Sequence, residues 1–386
     1  MRHKAARITE EDVSYRTKLL ELAAGLDDVI AMGRGDPDFH TPAHIVEAAK
    51  RAIDANQHHY THSAGLPELR EAIATKLRQE NGLDYTTDEI IVTAGAQEAV
   101  MLCMLALIDS GDEVLLPSPR FTSYDTAVHM CGGVVVPVPT REEDDFALTP
   151  AAIEARITER SKVLVLVTPN NPTGAVTPPA MIREIAELAI EHDLIVISDE
   201  IYEKLVYDGH EHLSLASLPG MKERTITLNG FSKSYAMTGW RVGYMAAPAP
   251  FIRLLVEPRH TLSINTSTPS QFAALAALTG PQEPVEEMVR QYKERRDFMM
   301  AALDDMGLSY GYPGGAFYIY VNISRTGMTS PAFCETLLRE GRVMILPGTM
   351  FGDERQDHIR IGYLQPMERI REATLRMKQV IAAVTA

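Results

Sequence analysis

Short, fully apolar runs alternate along this chain with longer stretches in which apolar residues recur every three or four positions. The runs at 90–93 (IIVT), 113–116, 133–138, 162–168 (KVLVLVT), 194–198 (LIVIS), 225–228 and 242–247 are rich in β-branched side chains. That length and composition predict buried strands. Between them, 43–55, a segment opened by Pro67, 98–108, 151–157 and 180–192 carry helical spacing, and Pro67 suits a first helical turn. Strands apolar on both faces and separated by helices predict an α/β fold with a mostly parallel central sheet flanked by helices.

The texture changes at both ends. Residues 10–24 read as an amphipathic helix leading into a turn-rich segment, Gly33 to Asp38. A long charged helix at 286–306 leads to short strands at 314–321, 343–346 and 358–362, with helices at 330–340 and 367–384, the pattern of a smaller α+β domain. The expected division is therefore an N-terminal arm with part of the small domain (1–42), a large domain (43–285) and a C-terminal small domain (286–386).

Polar residues gather where the apolar runs stop. Lys233 follows Ser232 in a polar turn after the 225–228 strand, with Arg241 eight residues on. A lysine at the mouth of a sheet, partly desolvated and near another cation, favours its neutral amine and Schiff-base chemistry; an ordinary solvated lysine is its bland alternative. Asp199 ends the 194–198 strand, at the edge where open parallel sheets collect ligands; a helix N-cap is its bland alternative. Asn170 and Asn171 end the 162–168 strand, where they serve either a turn or a ligand. Gly95, Ala96 and Gln97 form a small-residue turn between strand and helix, suited to phosphate at the helix start or to plain close packing. Phe121 lies just past another strand end. Arg360, between Ile359 and Ile361, is in an apolar setting that calls for an anionic partner.

Composition narrows the function. The 386 residues carry 52 acidic against 37 basic side chains, a formal charge of −15, which argues against a sequence-independent nucleic-acid binder. Cys103, Cys131 and Cys334 are too scattered for a disulfide framework or a CxxC metal site. Charged residues follow Met1 and no apolar stretch is long enough to span a membrane, so a cytoplasmic location is the default expectation. A GxGxxG loop is missing, which weighs against a nicotinamide oxidoreductase.

Taken in order, the stretches YTHSAGLPELREAIA, NNPTG, SDEIYEKLVYDG, NGFSKSYAMTGWRVGY, PGGAFY and HIRIGY resemble those of the class I/II pyridoxal-phosphate-dependent aminotransferases of fold type I, the aspartate aminotransferase superfamily. The resemblance covers nearly the whole length. It implies pyridoxal 5'-phosphate on Lys233 as an internal aldimine, with Asp199 at the pyridine nitrogen, Asn171 and Tyr202 near the phenolic oxygen, and Phe121 stacked on the ring. The phosphate would lie at Gly95, Ala96, Gln97, Ser232 and Arg241, with Tyr60 reaching it from the neighbouring subunit of a homodimer. Arg360 would bind the substrate α-carboxylate, assisted by Asn171 and the backbone near Gly35. The implied reaction is ping-pong transfer of an amino group from an L-amino acid to a 2-oxo acid. A β-lyase, decarboxylase or racemase on the same scaffold is the alternative. Aspartate, aliphatic and aromatic donors stay open, with Arg34 or Arg259 as candidate cations for a second carboxylate.

Overall fold

The computed structural model describes residues 11–385; residue 10, where the first helix is expected to begin, lies outside them. Strand β1 (Ile30–Ala31) follows helix α1 (Glu11–Ala24). Helices α2 (Ala43–Asp54) and α3 (Pro67–Asn81) come next, and then the large sheet begins. Its strands are β2 (Ile90–Thr93), β3 (Glu113–Ser118), β4 (Val134–Pro139), β5 (Ser161–Val167), β6 (Ile195–Asp199), β7 (Thr225–Gly230) and β8 (Gly243–Ala246). Helices α4 (Ala96–Leu107), α5 (Ser123–Met130), α6 (Pro150–Glu154) and α7 (Pro179–Glu191) connect the strands up to β6.

The spatial order is β2-β8-β7-β6-β5-β3-β4. Only β8 runs against its neighbours β2 and β7; the pairs from β7 through β4 are parallel. Strand periodicity explains why these runs are apolar throughout. Val163, Val165 and Val167 of β5 pack on one face with α4 and α5, while Leu164 and Leu166 pack on the other with α7. Both faces of β5 are covered, and both sets of its alternate positions from Val163 to Val167 are apolar.

After β8 come α8 (Ala249–Ser263), α9 (Thr268–Thr279) and the 23-residue α10 (Glu283–Asp305). The first two were not predicted, since α9 is apolar nearly all round and α8 contains Pro258, so neither shows a clean helical stripe. The remaining strands are β9 (Tyr318–Asn322), β10 (Val343–Met344), β11 (Leu346–Pro347) and β12 (His358–Gly362), with α11 (Ser330–Gly341) and α12 (Met367–Thr385). They form a three-stranded antiparallel sheet, β11-β12-β9, and a two-stranded parallel one in which β1 pairs with β10. The expected 343–346 strand is thus split, because Val343 and Met344 face β1 while Leu346 and Pro347 face β12. Pairing to β10 brings the chain near residue 33 over the carboxyl edge of the large sheet, where the polar residues lie. No helix among the described residues is long and apolar enough to cross a membrane.

Candidate active site

Four parallel strands deliver polar groups to one edge. Asp199 is the last residue of β6, Asn171 follows β5, Phe121 and Tyr124 follow β3, and Ser232 and Lys233 follow β7. Gly95 follows β2, and Arg241 lies two residues before the antiparallel β8, so both fall on this same edge.

The Lys233 amine donates to the Gly35 carbonyl oxygen at 2.6 Å and lies 5.7 Å from the Phe317 ring centre. Burial lowers its pKa to about 8; the nearby positive charges of Arg360 and Arg241 act the same way, against Asp36 and Asp199. Asp199 is buried. Its Oδ2 accepts from the Tyr124 hydroxyl at 2.6 Å and its Oδ1 from the Ile201 amide at 3.2 Å. Burial raises its pKa, and the adjacent Glu200 charge pushes the same way, opposed by those two hydrogen bonds and by Lys233. The Ile201 bond has the form of the predicted cap, yet no helix of the described structure begins there; Asp199 closes a turn instead.

Tyr202 is buried with its hydroxyl 3.4 Å from that of Tyr318. Arg360 donates to Asn171 Oδ1 at 2.8 Å and to the Gly33 carbonyl at 2.7 Å. Its guanidinium is sandwiched 4.2 Å from the Tyr318 ring centre and 4.5 Å from that of Phe351. The Gly33 carbonyl meets the arginine, and the Gly35 carbonyl holds the lysine.

At the start of α4, Gly95 adopts φ +79°, and a Cβ there would lie 2.7 Å from Arg241 Nη2. Arg241, itself left-handed at φ 51°, donates to the Thr238 carbonyl at 3.0 Å and to the Ala94 carbonyl at 3.3 Å. Ala96 and the exposed Gln97 open the helix beside this guanidinium, and Ser232 is buried next to the lysine. Phe121 and Tyr60 stand out from the surface, Tyr60 at 79% exposure.

Two residues near these groups had been given no role. Tyr124 sits three residues after Phe121 in the first turn of α5, a helix too short to show in the pattern. Tyr318 lies within the PGGAFY stretch, and only the tertiary fold shows that it touches both Arg360 and Tyr202. Arg259 proves no candidate for a substrate cation. It is fully buried and donates to the carbonyls of Ile264 and Val92 and to Thr266 Oγ1.

A mostly parallel sheet with a desolvated lysine, a buried carboxylate and a caged arginine at its carboxyl edge defines a fold-type I transferase. The chain belongs to the aminotransferase class I and II family, whose profile matches residues 27–376, and it is an aminotransferase. It is 46% identical to the aspartate aminotransferase of Pyrococcus abyssi, with 94% of each chain covered. It is 43% identical to aromatic-amino-acid aminotransferase 2 of Thermococcus litoralis, again with 94% of each covered. Among solved structures, the aromatic aminotransferase of Pyrococcus horikoshii superposes with a TM-score of 0.91 at 44% identity, over 95% of this chain and 99% of that one.

Proposed function

We propose that this aminotransferase holds pyridoxal 5'-phosphate on Lys233 and transfers amino groups between acidic or aromatic L-amino acids and 2-oxo acids. The observation that carries the reading is the Lys233 amine, drawn down to about 8 at the sheet edge that also carries Asp199. The residues present fit the group. A buried carboxylate whose charge is disfavoured by burial gains from a cationic partner such as a protonated pyridine nitrogen. The turn at Gly95, Ala96 and Gln97, with Ser232 and Arg241, offers helix-start amides, a hydroxyl and a guanidinium to a phosphate. Asn171 and Tyr202 would meet the phenolic oxygen, and Phe121 the ring face.

When bound, the cofactor supplies an electron sink for the pair released at the substrate Cα. Arg360, already oriented by Asn171, Gly33 and two aromatic rings, binds the α-carboxylate in a bidentate fork. Lys233, once free, takes the Cα proton as a general base, and its lowered pKa leaves much of it neutral near pH 8. The Tyr124 hydroxyl holds the Asp199 carboxylate in place. Support for both donor classes comes from the two relatives, one named for aspartate and one for aromatic amino acids.

The same reading assigns a large domain to about 43–285, with 1–42 and 286–386 around the small one, and a homodimer in which Tyr60 serves the neighbouring site. Its loop is bonded to the α8–α9 connection and to the first residue of α9, through Asn265 Nδ2 to Thr61 Oγ1 at 3.1 Å and Thr268 Oγ1 to the His59 carbonyl at 2.7 Å. Leu262 and Ile264, at the end of α8 and just after it, are exposed, as is Tyr60. A sedimentation mass of one chain at micromolar concentration would remove the dimer.

The test of function is the visible spectrum of wild type and Lys233→Ala during addition of aspartate or phenylalanine and then 2-oxoglutarate. A Lys233-dependent band that the amino acid bleaches and the keto acid restores is the expected result. Bleaching without restoration would turn the reading toward a lyase or decarboxylase, and a band independent of Lys233 would overturn it.

A further inference from the structure

Helix α3 presents an apolar stripe, Leu69, Ile73 and Leu77, and Lys76 sits in that stripe rather than on the outer face. The side chain is 6% exposed, and its amine bonds Glu203 and, at 2.6 Å, Asn81 Oδ1. Asn81 returns a bond from Nδ2 to Glu203 at 2.7 Å and another to Ser214 Oγ at 2.8 Å. Glu200, fully buried, accepts from Ser198 Oγ at 2.9 Å, Ser214 Oγ at 2.6 Å and His212 Nε2 at 3.0 Å. Two carboxylates, an ammonium and an imidazole are thus closed into one network.

Glu200, Glu203 and His212 each offer a ligand atom within 4.8 Å of the others, a spacing compatible with a metal ion. The Lys76 ammonium already provides the positive charge in that space. What the network adjoins is more telling. Glu200 and Glu203 flank Ile201 and Tyr202, and Glu200 follows Asp199 directly. Extended backbone sends alternate side chains to opposite faces, so Asp199 turns toward Tyr124 while Ser198 and Glu200 turn toward the network. The turn is pinned at its backbone too, by Glu200 N–H to the Leu228 carbonyl at 2.9 Å and Glu203 N–H to the Glu200 carbonyl at 2.9 Å.

We propose that Lys76 and His212 are positioning residues for the reaction: by neutralising and anchoring Glu200 and Glu203, they hold the 199–203 turn so that Asp199 stays ionised toward the cofactor and Tyr202 keeps its place. The proposal rests on the cofactor reading of Asp199 and Tyr202 given above. Its electrostatic logic is that an uncompensated Glu200, one residue from Asp199, favours protonation of Asp199. The directions agree. Burial disfavours charge on Glu203, yet Lys76, His212 and the Asn81 bond outweigh it and hold its pKa at about 2. Burial likewise opposes charge on Lys76 and on His212, and Glu203 and Glu200 respectively raise them above their ordinary values. Also facing the cluster are Glu80 at its rim, 3.6 Å from Lys76 and paired with Lys204 at 3.1 Å, and the buried phenols Tyr85, Tyr235 and Tyr244, which burial keeps neutral.

The experiment is a spectrophotometric pH titration of the Lys233-dependent chromophore in holoenzyme, for wild type, Lys76→Met, His212→Gln and Lys76→Met/Glu203→Gln. Excess negative charge in the network favours the protonated chromophore, so its midpoint should rise by about 0.5–1 pH unit in each single variant. The double variant restores the balance, and its midpoint should return to the wild-type value. In the single variants kcat should fall several-fold with KM for the amino donor little changed. Where Lys76→Met does not fold, His212→Gln and the double variant decide. Variants that lose stability with the midpoint unmoved, or a double variant shifted as far as the single one, would overturn the proposal. A wild type with no Lys233-dependent chromophore would instead overturn the cofactor reading on which it stands.

Discussion

Lys233 and Lys76 are both enclosed by protein, and the two amines are driven in opposite directions. Lys233 donates to a carbonyl and has two guanidinium charges nearby, so desolvation prevails and the pKa falls to about 8. Lys76 bonds a carboxylate and has Glu80 and Glu200 nearby, so attraction prevails and it is held charged. Burial alone therefore does not decide the chemistry of a lysine; the hydrogen-bond acceptor and the signs of the nearest charges do. A carbonyl acceptor leaves the amine able to give up its proton. A carboxylate acceptor makes it a structural cation.

The comparison can be broken at either lysine. Lys233→Met should lower turnover by at least ~10³-fold in a transamination assay while leaving the urea midpoint at or above wild type, since it removes an amine whose charge burial already disfavours. An undiminished rate would end its catalytic role. Lys76→Met should do the reverse in stability, costing about 3–5 kcal/mol in urea unfolding because Glu203 is left buried without its ammonium. A loss under 1 kcal/mol would mean that the pair contributes little. Arg360→Lys keeps the charge and loses the planar fork, and kcat/KM should drop by roughly 10–100-fold, read as KM for the amino donor.

Two pH measurements sharpen the contrast further. Capture of pyridoxal phosphate by apo-enzyme should speed up as pH rises through about 8 and then level off, because only the neutral Lys233 amine reacts. A rate still climbing steeply at pH 10 would place the amine at its ordinary value. Glu203 titrates at about 2 when folded against an ordinary 4.5, so the folded state binds fewer protons between those values. Its contribution to stability is complete above pH 4.5 and is lost as pH falls toward 2. The wild type should therefore lose stability more steeply over that window than Lys76→Met/Glu203→Gln.

Much of this was visible in the residues alone, and for a physical reason. Buried parallel strands are largely apolar on both faces, so clusters of polar residues mark their ends, and Asp199, Asn171 and Lys233 stand out there. The fold class followed from the same alternation of runs. Partners that approach from elsewhere in the chain left no local mark. That the Gly33 and Gly35 carbonyls go to different cations depends on β1 pairing with β10, which no periodicity encodes. Lys76 did leave a signal, a charge at a stripe position of α3, but its meaning lies in Glu203, 127 residues away.

The pairing of Ile30 with Val343 has a consequence for how the molecule is made. During vectorial synthesis, at about 5–20 residues per second, the segment that caps Lys233 and Arg360 leaves the ribosome long before β10, the strand with which it pairs. A nascent chain halted before residue 343 already contains Lys233, Asp199 and the whole large sheet, and the bonds of Asp36 to Thr238 and of Asp38 to Arg295 can form in it, but the pairing of β1 with β10 and the bond from Arg360 to the Gly33 carbonyl cannot. The cleft is therefore completed only after β10 and β12 have been made.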